Sequence, residues 1–349
     1  MTPQLDISVA GHLGVIALNR PEAINALSRE MIDGIAETLA GWRDDAQIRA
    51  VLFEGRGPRG FCAGGDVRAA RSLVLAGKAA EADAYFAAEY AMNEMIATYP
   101  KPIAAIGHGV AMGGGLGILS HARFSFATMD ARFAMPEAAI GFVPDVGINA
   151  ILALVPEARA LAFLLSGLAV GPGDALTLGL CDAAIDPARA GAVRSGIAAA
   201  SAATDVETAL VQLMQAESLE PDDAVLCAQA DRLAEVFAGA TAGEIAKGIA
   251  QAVTTHDSGL DGLAQALAGR SPTSLAAILA GHRLARQNPE IAVVLGIDLR
   301  LASFMARQPD FAEGVRAVLV DKDQKPQWRP ASLAEVDVGA IDEVARSHF

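Results

Sequence analysis

The sequence has few cysteines and no basic or long apolar segment at its start. Its three cysteines, Cys62, Cys181 and Cys227, are too few and too scattered for a disulfide framework or a CxxC metal site. We therefore expect a reducing compartment, and because no signal peptide is evident, a cytoplasmic location. The histidines show no HExxH or similar ligand spacing, so the sequence predicts no metal site.

Basic residues are also scarce. The 27 Lys and Arg residues stand against 41 Asp and Glu residues, which gives a formal net charge of -14. An acidic chain is not attracted to phosphate backbones or anionic lipids, so neither a nucleic acid nor a membrane is an expected partner. Residues 102–120 carry no charge and are long enough to span a bilayer. Their six glycines and His108 favour turns in a packed interior instead.

Hydrophobic residues are abundant. They make up 52% of the 349 residues, while charged residues make up 19%, and this composition excludes intrinsic disorder. The length suits one large domain or about two smaller ones. From about residue 150 the sequence is alanine-rich and helical in pattern, and no flexible linker interrupts it. We place a domain boundary near Pro187, with a core in residues 1–186 and a mainly helical region in residues 187–349.

The first half of the chain alternates between strand and helix patterns. Residues 5–10 and 13–18 alternate apolar and polar positions, which predicts a hairpin. Ser28 precedes apolar residues at helical spacing, which predicts an amphipathic helix. A pattern of buried strand, glycine-rich loop and helix then occurs twice, with strands predicted at residues 49–53 and 102–106.

The first glycine-rich loop contains a GxGxxG spacing from Gly55 to Gly60. A dinucleotide-binding fingerprint requires a helix to begin at the third glycine. Pro58 and a second glycine pair argue against that helix, so we do not predict a Rossmann site. Arg56 and Arg59 could contact a phosphate or simply be solvated.

Each of the two loops ends in glycines at a strand-to-helix junction. Gly64 and Gly65 precede Asp66 in the first loop, and residues 113–115 are glycines in the second. Glycine lets backbone N–H groups approach a ligand without interference from a Cβ. Two such donors that converge on one oxygen would form an oxyanion hole. Tight turns and close helix packing explain the same glycines equally well.

Three segments together carry a family resemblance: FCAGGDV, KPIAAIGHGVAMGGGLGI and FAMPEAAIGFVPDVG. Over residues 19–186 the chain resembles the crotonase (enoyl-CoA hydratase/isomerase) superfamily. The resemblance implies an α/β fold, a spiral of ββα units followed by a helical C-terminal region. It also implies an acyl-CoA substrate, with coenzyme A as part of the substrate and no separate cofactor. Crotonase relatives often assemble as trimers or hexamers through their helical C-terminal part, so a homo-oligomer is one possibility, and an extended tail that folds back on its own subunit is the other.

The resemblance also assigns roles to loop residues. The amides of Gly65 and Gly114 would bind the thioester oxygen. Glu89, in the segment AEYAMNEMI, would contact the substrate, although a solvated helix face explains this residue equally well. Further residues of the first loop would lie against the adenine and pantetheine of coenzyme A: Cys62, Ala63, Gly64, Asp66 and Val67.

The acids indicate the reaction within the superfamily. Hydratases carry one glutamate three residues after the middle glycine of the second loop and another in a PE dipeptide. This sequence has Gly117 at the first position and Glu137 at the second, and Asp145 follows eight residues later. With the segments SPTSL and DFAEGVRAVLVDKDQKPQWRP, this pattern resembles a subfamily of acyl-CoA thioester hydrolases that act on 3-hydroxyisobutyryl-CoA in valine breakdown.

These observations lead to a catalytic hypothesis. Glu137 would act as a nucleophile through a mixed anhydride or as a base for water, and Asp145 would orient the substrate hydroxyl or the water. Judged from the residues alone, Glu137 could merely begin a helix and Asp145 could merely stabilise a turn. Ile148 replaces a glycine common in the family, so 3-hydroxypropionyl-CoA or another short acyl-CoA is also a candidate substrate.

Three alternatives remain at this stage. A hydratase or isomerase could use Glu137 alone, and a relative without catalytic activity could serve only in assembly. A nucleophilic Cys62 could act with His108 or His121. A thiol between Phe61 and Ala63, however, is more typical of a small hydrophobic residue in a core.

Overall fold

A computed structural model describes residues 4–221, 223–256 and 260–347. The strands, in chain order, are β1 (Leu5–Ala10), β2 (Leu13–Leu18), β3 (Ala50–Gly55), β4 (Gly60–Cys62), β5 (Ile103–Gly107), β6 (Val110–Met112), β7 (Phe124–Thr128), β8 (Arg132–Ala134) and β9 (Ala183–Ile185). The helices up to residue 201 are α1 (Arg29–Arg43), α2 (Val67–Leu75), α3 (Ala79–Ala97), α4 (Gly114–Leu119), α5 (Ile148–Leu152), α6 (Glu157–Ser166), α7 (Pro172–Thr177) and α8 (Ala190–Ser201).

The later helices are α9 (Val206–Glu217), α10 (Val225–Arg232), α11 (Ala234–Phe237), α12 (Ala242–His256), α13 (Asp261–Ala268), α14 (Pro272–Gln287), α15 (Ile291–Ala306), α16 (Pro309–Val315) and α17 (Val338–Arg346). Short 3₁₀ turns lie at Pro21–Ala23, Glu137–Ile140, Pro187–Arg189 and Leu333–Glu335, and one π-helical turn lies at Arg316–Val320.

The chain divides into two compact units, each made of three segments. The strand unit comprises Met1–Gly65, Ala88–Phe133 and Val170–Ala224. The helical unit comprises Asp66–Ala87, Ala134–Ala169 and Val225–Phe349. The boundary expected near Pro187 therefore does not coincide with the limits of either unit.

The strands form two sheets. β1 and β2 pair as an antiparallel hairpin from Leu5↔Leu18 to Ala10↔Leu13, as predicted. The larger sheet has the order β1-β2-β3-β5-β7-β9, and β2 to β9 pair in parallel. The smaller sheet has the order β4-β6-β8. Each consecutive pair of strands from β3 to β8 thus gives one strand to each sheet, which is the repeated ββα pattern that the resemblance implied.

The core of the strand unit explains why its third segment extends past residue 187. Alternate residues of the larger sheet point to one face, where they contact α8 and α9. The buried residues of this cluster are Leu13, Val15, Ala50, Leu52, Ala104, Ile106, Phe124, Phe126, Ala183, Ile185, Val193, Ile197, Ala200, Val206 and Leu210. An apolar sheet face must be covered to be stable, and these two helices cover it.

Local signals in the sequence also match the structure. Ser28 caps α1 by accepting a hydrogen bond from the N–H of Met31 at 3.2 Å. The uncharged window, residues 102–120, forms β5, β6 and α4 instead of one long helix. Within the described part of the chain, no helix is long and apolar enough to cross a membrane.

The GxGxxG spacing does not form a dinucleotide-binding loop. Gly60 begins strand β4, whereas the fingerprint would require a helix at that position. Arg56 forms ion pairs with Asp6 and Glu54, so the positive charge of its guanidinium is already balanced by carboxylates of the protein.

The helical unit packs around aromatic residues from separate segments. Phe86 stacks on Phe142 with ring centroids 5.2 Å apart, and Phe142 lies 5.3 Å from Phe311. An ion pair between Arg307 and Asp83 joins two of the same segments at 2.6 Å. Segments that are distant in sequence therefore meet in this unit. The candidate acids Glu137 and Asp145 lie on the turns before and after Phe142.

Candidate active site

The two glycine loops of the strand unit approach each other closely. Gly64 has a φ of +107°, and a Cβ added to it would lie 3.5 Å from the Gly114 nitrogen. A Cβ added to Gly114 would lie 3.2 Å from the Gly65 nitrogen and would overlap Oε1 of Glu89. Among the described residues, neither the Gly65 N–H nor the Gly114 N–H donates a backbone hydrogen bond. The structure thus brings together two amides that could serve as donors to one oxygen.

Gly115, the next residue in the second loop, is required to be glycine by a different constraint. A Cβ on Gly115 would lie 2.5 Å from the carbonyl oxygen of Cys62, so close packing alone explains that residue. Gly114 instead faces a carboxylate oxygen and an amide. Close packing therefore explains Gly115, whereas the role of the Gly65 and Gly114 amides as an oxyanion hole remains a prediction.

Glu89 lies on α3 and is buried. The interpretation of this residue as part of a solvated helix face is therefore wrong. Its carboxyl lies against Gly114, and its charge helps to raise the pKa of Cys62. A carboxylate at this place adjoins the amide pair, as expected of a residue that contacts the reacting part of a substrate.

Asn93 lies one helical turn after Glu89, on the same face of α3. It is fully buried, and neither atom of its side-chain amide makes a hydrogen bond to any residue that the structure describes. Buried amides are normally satisfied, so an exception requires an explanation. Asn93 was not predicted from the sequence, although its spacing of four residues from Glu89 was a usable signal.

The thiol of Cys62 is not suited to nucleophilic attack. Burial, the largest cause, raises its pKa to about 12, and its Sγ donates to the carbonyl oxygen of Asn25 at 3.2 Å. A thiol with so high a pKa is almost entirely protonated at neutral pH, whereas the thiolate is the reactive form. This geometry disfavours the alternative of a cysteine nucleophile.

The remaining residues predicted to contact coenzyme A lie between a buried strand and α2. Ala63 is exposed, Gly64 is buried, and Asp66 and Val67 are partly buried. Asp66 caps α2 through a 3.3 Å hydrogen bond from the N–H of Ala69, so it has a structural role of its own. Their contact with coenzyme A remains a prediction.

A residue that the sequence analysis did not single out holds the first loop in place. The side-chain nitrogen of Asn25 donates to the carbonyl oxygens of Arg56 at 2.9 Å and Phe61 at 3.0 Å, and its oxygen accepts from the N–H of Arg20 at 2.9 Å. One buried amide thus replaces the backbone pairing that this irregular loop lacks.

The helical unit carries the two acids, and both are buried. Glu137 is the first residue of the 3₁₀ turn Glu137–Ile140, directly after Pro136, and Asp145 follows Pro144. A four-residue turn has too few peptide units to give the dipole of a long helix, so a simple helix-start role does not account for Glu137.

The two C-terminal segments that carry the subfamily resemblance pack against the Glu137 turn. The N–H of Ser271 donates to the carbonyl oxygen of Ala138 at 3.1 Å, and the Ser271 hydroxyl donates to Asp310 at 2.6 Å. Gly141 packs closely against the backbone of Asp310, because a Cβ added to Gly141 would overlap the carbonyl oxygen of Asp310. Residues 271–275 and 310–330 therefore help to position Glu137.

Asp145 begins an unusual turn. Val146 has a φ of +56° and Gly147 a φ of +75°, so two consecutive residues adopt the left-handed region. That conformation is rare for a β-branched residue and costs on the order of 1–3 kcal/mol. The N–H of Gly147 donates to Oδ2 of Asp298 at 2.8 Å, and the N–H of Ile148 donates to the carbonyl oxygen of Asp145 at 3.1 Å.

Buried polar groups of α14 and α15 surround this turn. Nδ1 of His282 lies 2.9 Å from Oδ1 of Asn149, and burial, helped by Arg286 and Arg283, lowers the pKa of His282 to about 3. Burial and, secondarily, the charge of Asp145 raise the pKa of Asp298 well above its usual range. Both groups therefore favour their neutral forms, and neither was predicted from the sequence.

Among the described residues, no group of three or more His, Cys, Asp or Glu side chains is placed to hold a metal ion. Backbone amides such as those of Gly65 and Gly114 can polarise a carbonyl group, and carboxyls such as those of Glu137 and Asp145 can move protons.

Comparison with known proteins gives the class. The chain matches the family model described as enoyl-CoA hydratase/isomerase over residues 13–345, so it belongs to that family. Its fold is the crotonase fold, a mixed α/β architecture with a helical C-terminal region.

Particular relatives narrow the class. The chain is 34% identical over 344 residues to the mitochondrial 3-hydroxyisobutyryl-CoA hydrolase of Danio rerio, covering 95% of this chain and 87% of the relative. It is 33% identical to the human protein of the same name, covering 97% and 86%. A crystal structure of a carnitinyl-CoA dehydratase from Mycobacterium thermoresistibile superposes with a TM-score of 0.90 at 34% identity, covering 99% of this chain and 97% of that one.

Proposed function

We propose that this protein hydrolyses the thioester of a short 3-hydroxyacyl-CoA, with 3-hydroxyisobutyryl-CoA as the first candidate substrate. The observation that carries the proposal is similarity over nearly the whole chain to hydrolases named for that substrate. The similarity includes the C-terminal segments that pack against the Glu137 turn. The net reaction consumes one water and releases the free 3-hydroxy acid and coenzyme A.

Four of the predicted residues act directly in this reaction. The N–H groups of Gly65 and Gly114 polarise the thioester carbonyl and stabilise the oxyanion. Glu137 either attacks the carbonyl carbon, which expels the coenzyme A thiolate and leaves a mixed anhydride for water to cleave, or removes a proton from the attacking water. Asp145 orients the substrate hydroxyl or the water and transfers a proton to the departing sulfur.

Hydratase activity is the second candidate, and the carnitinyl-CoA dehydratase structure favours it. Hydration by the crotonase mechanism uses two glutamates, as the family resemblance implies. Gly117 is buried inside α4 where the first of them would lie, so that position supplies no acid. This absence supports hydrolysis over water addition.

An assay with two substrates separates the candidates. The protein is incubated with 3-hydroxyisobutyryl-CoA and with crotonyl-CoA, and free thiol and loss of the double bond are followed separately. Release of thiol from the first substrate is expected. Loss of the double bond without thiol release would make the protein a hydratase, and the absence of both would favour a binding role.

Two variants test the acids. Glu137→Gln and Asp145→Asn should each lower kcat about 10²- to 10⁴-fold, the usual contribution of a general acid or base, while affinity for free coenzyme A stays nearly the same. Glu343→Gln changes an exposed residue of α17 and serves as the control. Unchanged turnover by the Glu137 variant would remove that residue from the mechanism.

The two routes for Glu137 are separated by chemical trapping. Hydroxylamine added during turnover attacks an acyl–glutamyl anhydride, and attack at the glutamyl carbonyl gives a hydroxamate on Glu137 that mass spectrometry detects. The general-base route gives no such adduct. The detection of the adduct in the wild-type protein would therefore establish the covalent route.

The identity of the acyl group, the location and the assembly are parts of the same proposal. Values of kcat/KM for 3-hydroxyisobutyryl-CoA and 3-hydroxypropionyl-CoA show which acyl group the enzyme prefers beside the buried Ile148. A cytoplasmic location remains a prediction, whereas the vertebrate relatives are named as mitochondrial. Assembly into trimers or hexamers is testable by light scattering.

A further inference from the structure

Asp298 is a buried carboxyl that the roles above do not use. It lies near the middle of α15, and its Oδ2 accepts the hydrogen bond from the N–H of Gly147 at 2.8 Å. Gly147 comes two residues after Asp145. The contact therefore joins α15, 151 residues away in sequence, to the turn that carries a candidate catalytic acid.

We propose that Asp298 is a positioning residue for Asp145, because its hydrogen bond to Gly147 holds the left-handed turn that begins at Asp145. The inference rests on the proposed function, in which Asp145 acts on the substrate or on water. Asp298 itself has no contact with the reacting atoms in this scheme.

The turn needs such support because its backbone is unfavourable. Val146 and Gly147 both have positive φ, and a valine persists in that region only where its surroundings determine it. The hydrogen bond from Ile148 to Asp145 closes the turn from within. The bond from Gly147 to Asp298 fastens the same turn to a long helix, which is a more rigid element.

The environment of Asp298 indicates which feature of the side chain matters. Burial, the largest cause, and the charge of Asp145 raise the pKa of Asp298, whereas the hydrogen bond from Gly147 and the charge of Arg300 act in the opposite direction. A neutral carboxyl still accepts a hydrogen bond through its carbonyl oxygen. We therefore expect the acceptor, and not a negative charge, to be the property that holds Gly147.

This distinction determines the variants. Asp298→Asn keeps a neutral carbonyl acceptor at the same place, whereas Asp298→Leu keeps a similar volume and removes the acceptor. Asp342→Asn changes an exposed residue of α17 and is the matched control. Should the Leu variant fail to fold, Asp298→Ser supplies the same comparison, because its hydroxyl is too short to reach Gly147.

Turnover of 3-hydroxyisobutyryl-CoA is the first readout. A misplacement of about 1 Å can lower a rate about 10²-fold, so we expect Asp298→Leu to lower kcat at least about tenfold with KM changed less than about twofold. Asp298→Asn should stay within about threefold of the wild-type kcat. A folded Leu variant with wild-type kcat, or a folded Asn variant that loses tenfold, would overturn the proposal.

A second mutation shows whether Asp298 acts through Asp145. In the Asp145→Asn background, Asp298→Leu should cause no further loss of kcat, because the residue that it positions is already inactive. An equal loss in both backgrounds would mean that Asp298 acts elsewhere.

The hydrogen bond can be tested without any activity. Amide hydrogen exchange, measured by mass spectrometry on a peptide that covers residues 143–152, should be at least about tenfold faster in the Leu variant than in the wild-type and Asn proteins. Unchanged exchange in the Leu variant contradicts the proposal. If the wild-type protein releases no thiol but the exchange result holds, the proposed function fails and the role of Asp298 in the turn stands.

Discussion

The two units hold their candidate groups by different means. In the strand unit, the amides of Gly65 and Gly114 come together because glycines allow the two loops to touch. In the helical unit, the acids lie on short turns that are held by hydrogen bonds from distant helices, through the backbone N–H of Ser271 and the side chain of Asp298. The first arrangement should be sensitive to added volume, and the second to the loss of a single hydrogen bond.

Among the changes that compare how the two units hold their groups, the largest effect is expected from one added methyl group in the strand unit. In Gly114→Ala, the new Cβ would overlap Oε1 of Glu89 and crowd the Gly65 amide. If displacement of the loop removes one oxyanion donor, kcat should fall about 10²- to 10³-fold. Steady-state thioester hydrolysis measures the loss.

The control for this prediction is Gly41→Ala, in α1 of the same unit. A Cβ at Gly41 would have no neighbour within 4 Å, and alanine is the better helix former. This variant should keep full activity and unfold at an equal or higher temperature. A Gly114 variant that retained wild-type kcat would show that added volume at Gly114 does not displace the amide pair.

The second effect compares two serines that cap helices. Ser271 caps α14 and donates to the buried Asp310, and Ser271→Ala should lower the free energy of unfolding by about 2–3 kcal/mol through the lost cap and the poorly satisfied carboxyl. Urea unfolding measures this change. The backbone N–H of Ser271 donates to Ala138 in the Glu137 turn, so a shift of the uncapped end of α14 would move that turn, and we expect kcat to fall as well.

Ser28→Ala is the matched change in the strand unit. Ser28 caps α1 and donates to the side chain of Gln4, at a site that is less buried. The loss of this cap should lower the free energy of unfolding by only about 1 kcal/mol and leave kcat unchanged. Equal effects of the two changes on stability and on kcat would mean that the cap of α14 has no special role in positioning the Glu137 turn.

Much of the strand unit could be predicted from the sequence because its signals are local. The alternation in residues 5–18 predicted the hairpin, and Ser28 predicted the start of α1. The proximity of the two glycine loops also follows from repetition, since parallel neighbouring strands β3 and β5 end at the same edge of the sheet.

The buried residues that hold the turn at Asp145 could not be predicted in the same way. Asp298 and His282 lie in ordinary helical sequence, and their partners are 151 and 133 residues away. No local pattern marks such a contact, because only the packing of the helices brings the groups together. The family resemblance pointed to Glu137 and Asp145 but gave no reason for their C-terminal supports.

The third prediction concerns pH and the helical unit. The pKa of His282 is about 3 in the folded protein, below its ordinary value of 6.5, so the unfolded state binds the proton more tightly. Stability should therefore fall as the pH drops below about 6.5, by about 2 kcal/mol from this residue at pH 5. His282→Gln should make that dependence shallower, which urea unfolding at several pH values measures.

The corresponding change in the strand unit is His12→Gln. His12 is exposed, so this variant is the control for the replacement of a histidine by glutamine. The buried Asp298 and Asp310 remain in both variants, and their raised pKa values act in the opposite sense, so the difference between the two curves isolates His282. Parallel curves for all three proteins would show that His282 is not held neutral.

The smallest effect tests a buried polar side chain of the strand unit that has no hydrogen-bond partner among the described residues. The Asn93 amide makes no hydrogen bond within the described residues, so Asn93→Leu should raise the free energy of unfolding by about 1 kcal/mol. If that amide serves a bound substrate beside Glu89, KM for a 3-hydroxyacyl-CoA should rise up to about tenfold. Met92→Leu, a buried apolar change in the same helix, should leave KM unchanged. An Asn93 variant with greater stability and an unchanged KM would mean that α3 contributes only Glu89 to the site.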